Sequence, residues 1–255
     1  MGKSRGAPPG MSLRIVWGGP WNQQSAAART GKDIVLELLS RGHLIDVLRT
    51  EVGRDAKLAS LSSAVTAHLW NDVSTPDVLR NADAIIVNVG DDYNLYGGML
   101  NSFSQLGAVA IFHDSLLANL VYAWAIASGP DTEAARFESA FQAVTHTRAI
   151  LEWFASGAVG AVLHTQQDFD CVREACAGPV AVIPAVAGDR MFVSRYVDRL
   201  LPIVASAISV RPVLLAEQTI GRTLGAFGLD AADPAIERIA TVFDSLYASQ
   251  DTVSE

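Results

Sequence analysis

In the stretch "AVAIFHDSLL" an uninterrupted apolar run, Ala108 to Phe112, ends at His113 and Asp114 just before a helical pattern begins. The last side chain of a buried strand stands at the rim of an open α/β sheet, where ligands bind. A neutral imidazole at that rim donates to a sugar hydroxyl or a carbonyl. Asp114 has a second reading as the N-cap of the "SLLAN" helix, its carboxylate accepting from free backbone amides.

Three other strand ends carry polar groups. In "LRIVWGGP", Gly18 and Gly19 let the backbone approach a ligand closely and present amides at a helix start, or simply make a turn. "AIIVNVGDDYNLYG" places Asp91, Asp92, Tyr93 and Asn94 after a strand; carboxylates, a phenol and an amide suit hydroxyl-rich ligands, while "GDD" is equally an ordinary strand-to-helix turn. "GAVLHTQQD" ends at His164 and Thr165, and Thr165 or Asp168 is placed to cap the next helix. His43, in the turn after Gly42, falls on the opposite rim in a structural role. His68 and His146 carry no motif, and Trp153 and Phe154 read as core.

The missing patterns narrow the chemistry. G-x-G-x-x-G does not occur after the first strand, where "GGP" runs into "WNQQSAAAR", which argues against an NAD enzyme. Neither a Ser-His-Asp order nor a metal-ligand cluster is present, so no metal and no cofactor are expected. Cys171 and Cys176, five apart on one expected helix, read as inert thiols in a reducing compartment. A formal charge of −8 with no basic cluster leaves nothing to track a phosphate backbone, which excludes nucleic acid as a partner. No secretion signal is evident, and no apolar run reaches the roughly 18–20 residues of a membrane span. The expected location is cytoplasmic, with "LLANLVYAWAIA" allowing at most peripheral membrane contact.

These groups need a scaffold, and the chain alternates accordingly. "LRIVW", "HLIDVLR", "AVTAHLW", "DAIIVNVG", "AVAIFHD", "GAVLHT" and "PVAVIPA" read as about seven strands interleaved with helices. The expected fold is α/β: a doubly wound, mainly parallel Rossmann-like sheet with a C-terminal helical appendix. Residues 12–188 form the α/β domain and 189–250 the appendix, read as three successive helices packing on it. Residues 1–11, upstream of a natural start at Met11, and 251–255 read as disordered tails.

The order of "WGG", "RGHLIDVL", "VNVGDDYNLYGGML", "AIFHDSLL" and "AVLHTQQDFDCV…VAVIPAV" resembles the N-terminal, acceptor-side half of the two-domain GT-B glycosyltransferases, nearest to retaining family 4. The resemblance covers roughly residues 13–187. It implies that His113 faces the transferred sugar, that Gly18 and Gly19 approach the donor phosphates, and that Asp114 starts the following helix. His164 and Thr165 stand where the family has His-Ser. A second α/β domain, which in the family binds the nucleotide-sugar, should follow "VIPAV". The chain passes instead into "RYVDRLLPIVASA", similar to the closing helix of full-length members.

The resemblance therefore implies transfer of a sugar from a nucleotide-sugar to a hydroxylated acceptor such as a glycan, with Asp91, Asp92 or Tyr93 near the acceptor. A homodimer or a separate donor-domain subunit would complete the cleft. A non-catalytic glycan-binding or scaffolding subunit that assists a full-length transferase is the alternative. A self-sufficient enzyme with unrelated chemistry on the same sheet is a third.

Overall fold

The computed structural model describes residues 12–21, 25–52, 65–129, 147–186 and 190–226, with backbone alone at 147 and 216–226. The expected tails, 1–11 and 251–255, and His146 lie outside the described residues. Among those described, seven strands form one all-parallel sheet: β1 Arg14–Gly19, β2 Leu44–Arg49, β3 Thr66–Leu69, β4 Ala84–Val89, β5 Ala108–Phe112, β6 Ala158–Leu163 and β7 Val180–Val182. Their order is β3-β2-β1-β4-β5-β6-β7, so the winding reverses between β1 and β4.

Every residue of β4, β5 and β6 is buried. That is what near-continuous apolar strands require, because a parallel sheet is covered on both faces. Side-chain alternation divides the interior into two cores. On one face Val16, Leu48, Ile85, Val87 and Ala110 pack under α5 (Ala118–Ser128) and α6 (Thr147–Ser156), with Phe154 edge-on to Phe103 at 5.3 Å. On the other face Ile15, Trp17, Val47, Ile86 and Ile111 meet Ile34, Val35 and Leu38 of α1 (Ala26–Ser40) and Val197, Leu200 and Val204 of α8 (Arg190–Ala226). Helices on both faces make the fold the doubly wound α/β sheet expected.

Local signals set the helix ends. Ser25 caps α1 by accepting from the Ala28 amide, and Gly42, at φ +88°, follows its last turn. Pro76 sits in the first turn of α2 (Thr75–Arg80), where a missing amide costs nothing. Between β4 and β5 lie α3 (Tyr93–Tyr96), a 3-10 segment (Gly97–Ser102) and α4 (Phe103–Leu106). One further helix, α7 (Phe169–Ala175), joins β6 to β7.

Two expectations about helices are corrected. The helix after His113 begins at Ala118 rather than at "SLLAN", three residues later. The first two helices of the appendix are one, α8, which runs through Pro202 and Pro212. Each proline removes a single internal amide, and the second site is anchored from the side: Arg211 donates to Leu106 O (3.2 Å) and Ala82 O (3.0 Å). The chain divides into two compact units, residues 1–214 and 215–255, so the first part of the appendix belongs to the α/β unit.

The fully buried Phe154 tests the core that holds α6 to the sheet. Phe154→Ala should cost about 3–5 kcal/mol of unfolding free energy by urea denaturation, and a loss under about 1 kcal/mol would contradict this packing.

Candidate functional site

Asn88 is the one polar residue of β4, and it is 5% exposed. A buried carboxamide needs partners for both its ends. Its Nδ2 donates to Gly18 O at 2.8 Å, and its Oδ1 lies 2.9 Å from His113 Nε2, one residue past the end of β5. An amide oxygen only accepts, so Nε2 of His113 carries the ring proton. At the exit of β6, His164 Nδ1 lies 2.9 Å from Ile183 O, again an acceptor only, and is protonated for the same reason. The two remaining nitrogens, His113 Nδ1 and His164 Nε2, face each other at 3.3 Å.

The pair floors a cleft of about 250 Å³ at the carboxyl edge of the sheet. Trp17 of β1 and Asn88 of β4 contribute from the two strands between which the winding reverses, the crevice where open α/β sheets take ligands. Ala26, Ala27 and Gly31 of α1 form one wall, and Tyr196 of α8 with Val186 forms another. Tyr96, at the end of α3, stands 6.0 Å from the His113 ring, and Tyr196 stands 6.3 Å from that of His164. No Asp, Glu, Lys or Arg side chain lines the cleft among the described residues.

Burial, with a smaller contribution from the His164 charge, lowers the His113 pKa to about 4, so its imidazole is neutral near pH 7. Burial raises the pKa of the Tyr96 phenol, aided by Asp114 and Asp92, and burial alone raises that of Tyr196. Both phenols remain donors. The Tyr196 hydroxyl is buried and makes no hydrogen bond.

The structure places the sequence-derived residues unevenly. His113 and His164 come together as described, but Thr165 is exposed and outside the cleft. Asp168 occupies the N-cap position of α7 without a side-chain cap bond. Gly18 and Gly19 lie inside β1 rather than in a loop beyond it. A methyl on Gly19 would come within 2.9 Å of Asn88 Nδ2, and one on Gly18 within 2.9 Å of Met99 Sδ, so these glycines make room for protein side chains.

Asp114 does not cap the helix after it. Its Oδ2 accepts from the Asp91 amide at 2.9 Å, while Asp91 reaches across to cap α5, accepting from Leu120 N (3.0 Å) and Asn119 Nδ2 (2.6 Å). Asp92 caps α3 by accepting from Asn94 N at 2.9 Å, Tyr93 lies over Gly97, and Asn94 accepts from Val52 N through its carbonyl. Of the tyrosines at that turn, it is Tyr96 that enters the cleft, over Gly90, where a methyl would meet its ring at 2.6 Å. Asn88, Tyr96 and Tyr196 were not singled out from sequence. An isolated Asn in the apolar run "AIIVNV" was the available signal; Tyr196 had none.

The other readings fall where expected: His43, on the opposite rim, accepts from Leu13 N at Nδ1 (3.2 Å), Phe154 is core, and both cysteines are buried and unpaired in disulfides. Among the described residues no cluster of three or more His, Cys, Asp or Glu could hold a metal ion, and no helix is long and apolar enough to cross a membrane. Neither the models of known protein families nor the curated proteins include a match to this chain.

The lowered His113 pKa makes stability depend on pH. The unfolded ring binds its proton near pH 6.5 and the folded one only near pH 4, so the stabilisation is complete above 6.5 and is lost as pH falls through that window. Urea unfolding of the wild type and of His113→Asn from pH 7 to 4 should differ in slope, with the wild type losing about 3 kcal/mol more. Parallel profiles would contradict the assignment.

Proposed function

We propose that this chain is the acceptor-side half of a GT-B-type glycosyl-transfer site, moving a sugar from a nucleotide-sugar donor to a hydroxylated acceptor. The observation that carries the reading is the neutral His113 on the floor of a cleft at the β1/β4 reversal, within a seven-stranded doubly wound sheet. His113 packs the carbon edge of its ring against the sugar, both of its nitrogens being held by Asn88 and His164, and Tyr96 and Tyr196 supply phenolic donors beside it. Catalysis of this kind relies on positioning and on preorganised donors rather than on a strong base.

The cleft's size supports a half-site. At about 250 Å³ it falls below the roughly 300–1,000 Å³ of a complete small-molecule pocket, so most of a nucleotide-sugar would extend beyond it. A partner chain or a second copy supplies the other wall.

A second reading, a non-catalytic glycan-binding or scaffolding subunit, is favoured by one observation. Asp91, Asp92 and Asp114 accept from backbone amides, so the carboxylates expected to meet an acceptor hold the frame instead.

Titration calorimetry with nucleotide-sugars, alone and with a candidate donor-domain partner, separates the two. Under the transfer reading heat is released in at least one condition, and His113→Ala abolishes turnover while unfolding free energy falls by about 1–3 kcal/mol, the cost of leaving Asn88 Oδ1 unpaired. Glycan binding without any nucleotide-sugar binding favours the scaffold. Unaltered turnover in His113→Ala would remove His113 from the mechanism.

A further inference from the structure

The polar groups beneath the cleft form one continuous chain: Gly18 O, Asn88, His113, His164, Ile183 O. Both ends are carbonyl oxygens, which only accept. Four links join the five groups and each needs one proton, but the three connecting groups, when neutral, contribute one apiece. The chain is therefore one proton short. The three links to oxygen are 2.8–2.9 Å and the nitrogen–nitrogen link is 3.3 Å. The deficit lies there, where two ring lone pairs face each other.

The cleft wall carries unpartnered donors. The Ala26 and Ala27 amides, in the first turn of the fifteen-residue α1, donate to no acceptor among the described residues, since Ser25 takes the Ala28 amide. The Tyr196 side chain is 97% buried (3% exposed), and its hydroxyl is unpartnered. Such a wall, next to a proton-deficient pair, suits a ligand that brings negative charge and lets the missing proton enter. Without an anion, an imidazolium there would lack a counter-charge at a site where burial is already costly.

We propose that the cleft binds phosphoryl oxygens together with one proton, which lodges between His113 Nδ1 and His164 Nε2. The anion is held by the α1 amides and the Tyr196 hydroxyl, and the pair's positive charge balances it without a direct bond, all four ring nitrogens being engaged in the chain. The choice of phosphoryl rests on the nucleotide-sugar reading; the proton deficit does not. The ionisable groups around the pair are Tyr96 from α3, Tyr196 from α8 and Asp114 beside His113, the last engaged with the Asp91 amide. The α1 wall adds no ionisable group, its cleft residues being Ala26, Ala27, Thr30, Gly31 and Ile34.

Sulfate, an oxyanion that does not titrate near neutral pH, is the probe for the proton, and inorganic pyrophosphate for the phosphoryl group. Long-range proton–nitrogen spectra of the full ¹⁵N-labelled chain at pH 7 should show His113 Nδ1 and His164 Nε2 unprotonated in the free protein. One proton should appear between them as either anion is added. Sulfate affinity should rise up to tenfold from pH 7.5 to 6.5, as one coupled proton requires. His164→Asn should flatten that dependence, and Tyr196→Phe should weaken binding several-fold with the dependence kept. A flat pH profile in the wild type, or no anion binding by the folded protein, overturns the proposal. If both anions bind with the proton but no nucleotide-sugar does, the glycosyl-transfer reading fails and this one stands; nucleotide-sugar binding with a flat profile gives the reverse.

Discussion

A single buried amide, Asn88, sets the geometry of the carboxyl edge. Placing a carboxamide in the middle strand of a parallel sheet is costly unless both ends are bonded. The neighbouring strand can supply the acceptor only if no side chain intervenes, which is why β1 has glycine at 19. With Nδ2 so engaged, Oδ1 has one orientation left, and it fixes the tautomer and the ring plane of His113. His164 is then oriented by Ile183 O, to which its Nδ1 donates, and this leaves its Nε2 facing the free nitrogen of His113. The arrangement of the cleft floor follows from one amide that must not be left unpaired.

A second frame surrounds the first and uses charge. The turn after β4 and the turn after β5 are tied to one another by exchanged backbone-to-carboxylate bonds: Asp114 holds the Asp91 amide, and Asp91 holds the start of α5. A carboxylate accepting from backbone amides makes strong, charge-assisted bonds, and here they lock together the two strand exits that carry Tyr96 and His113. Function and framework are thus divided between adjacent residues. His113 faces the cleft while Asp114 faces the neighbouring turn.

This division explains what the sequence made legible. Parallel strands buried on both faces leave continuous apolar runs, so the seven strands and the doubly wound class could be read directly. Strand-end histidines could also be read, because the position of a strand's last residue is fixed by the run before it. Which carboxylate caps which helix could not: the Asp91–α5 bond spans 29 residues with β5 between, and local spacing put the cap at Asp114 instead. Glycines at a strand end have the same appearance whether a ligand or a side chain needs the room, and here Asn88 and Met99 occupy it. Tyr196 entered the site through a tertiary contact alone, 32 residues beyond His164 in the chain.

That last placement alters the meaning of the C-terminal helix. Read along the sequence, α8 is a flank left behind where a second domain would have been. In the fold, its first half belongs to the core on one face of the sheet through Val197, Leu200 and Val204, with Ile203 and Ala207 packed against Gly160 of β6. The same turns carry Tyr196 to the wall opposite α1, with its hydroxyl buried and unspent. An unpaired buried hydroxyl costs about 1–3 kcal/mol, a cost that core packing alone would avoid with phenylalanine. The helix that completes the core therefore also completes one wall of the cleft, to which it brings an unsatisfied hydroxyl.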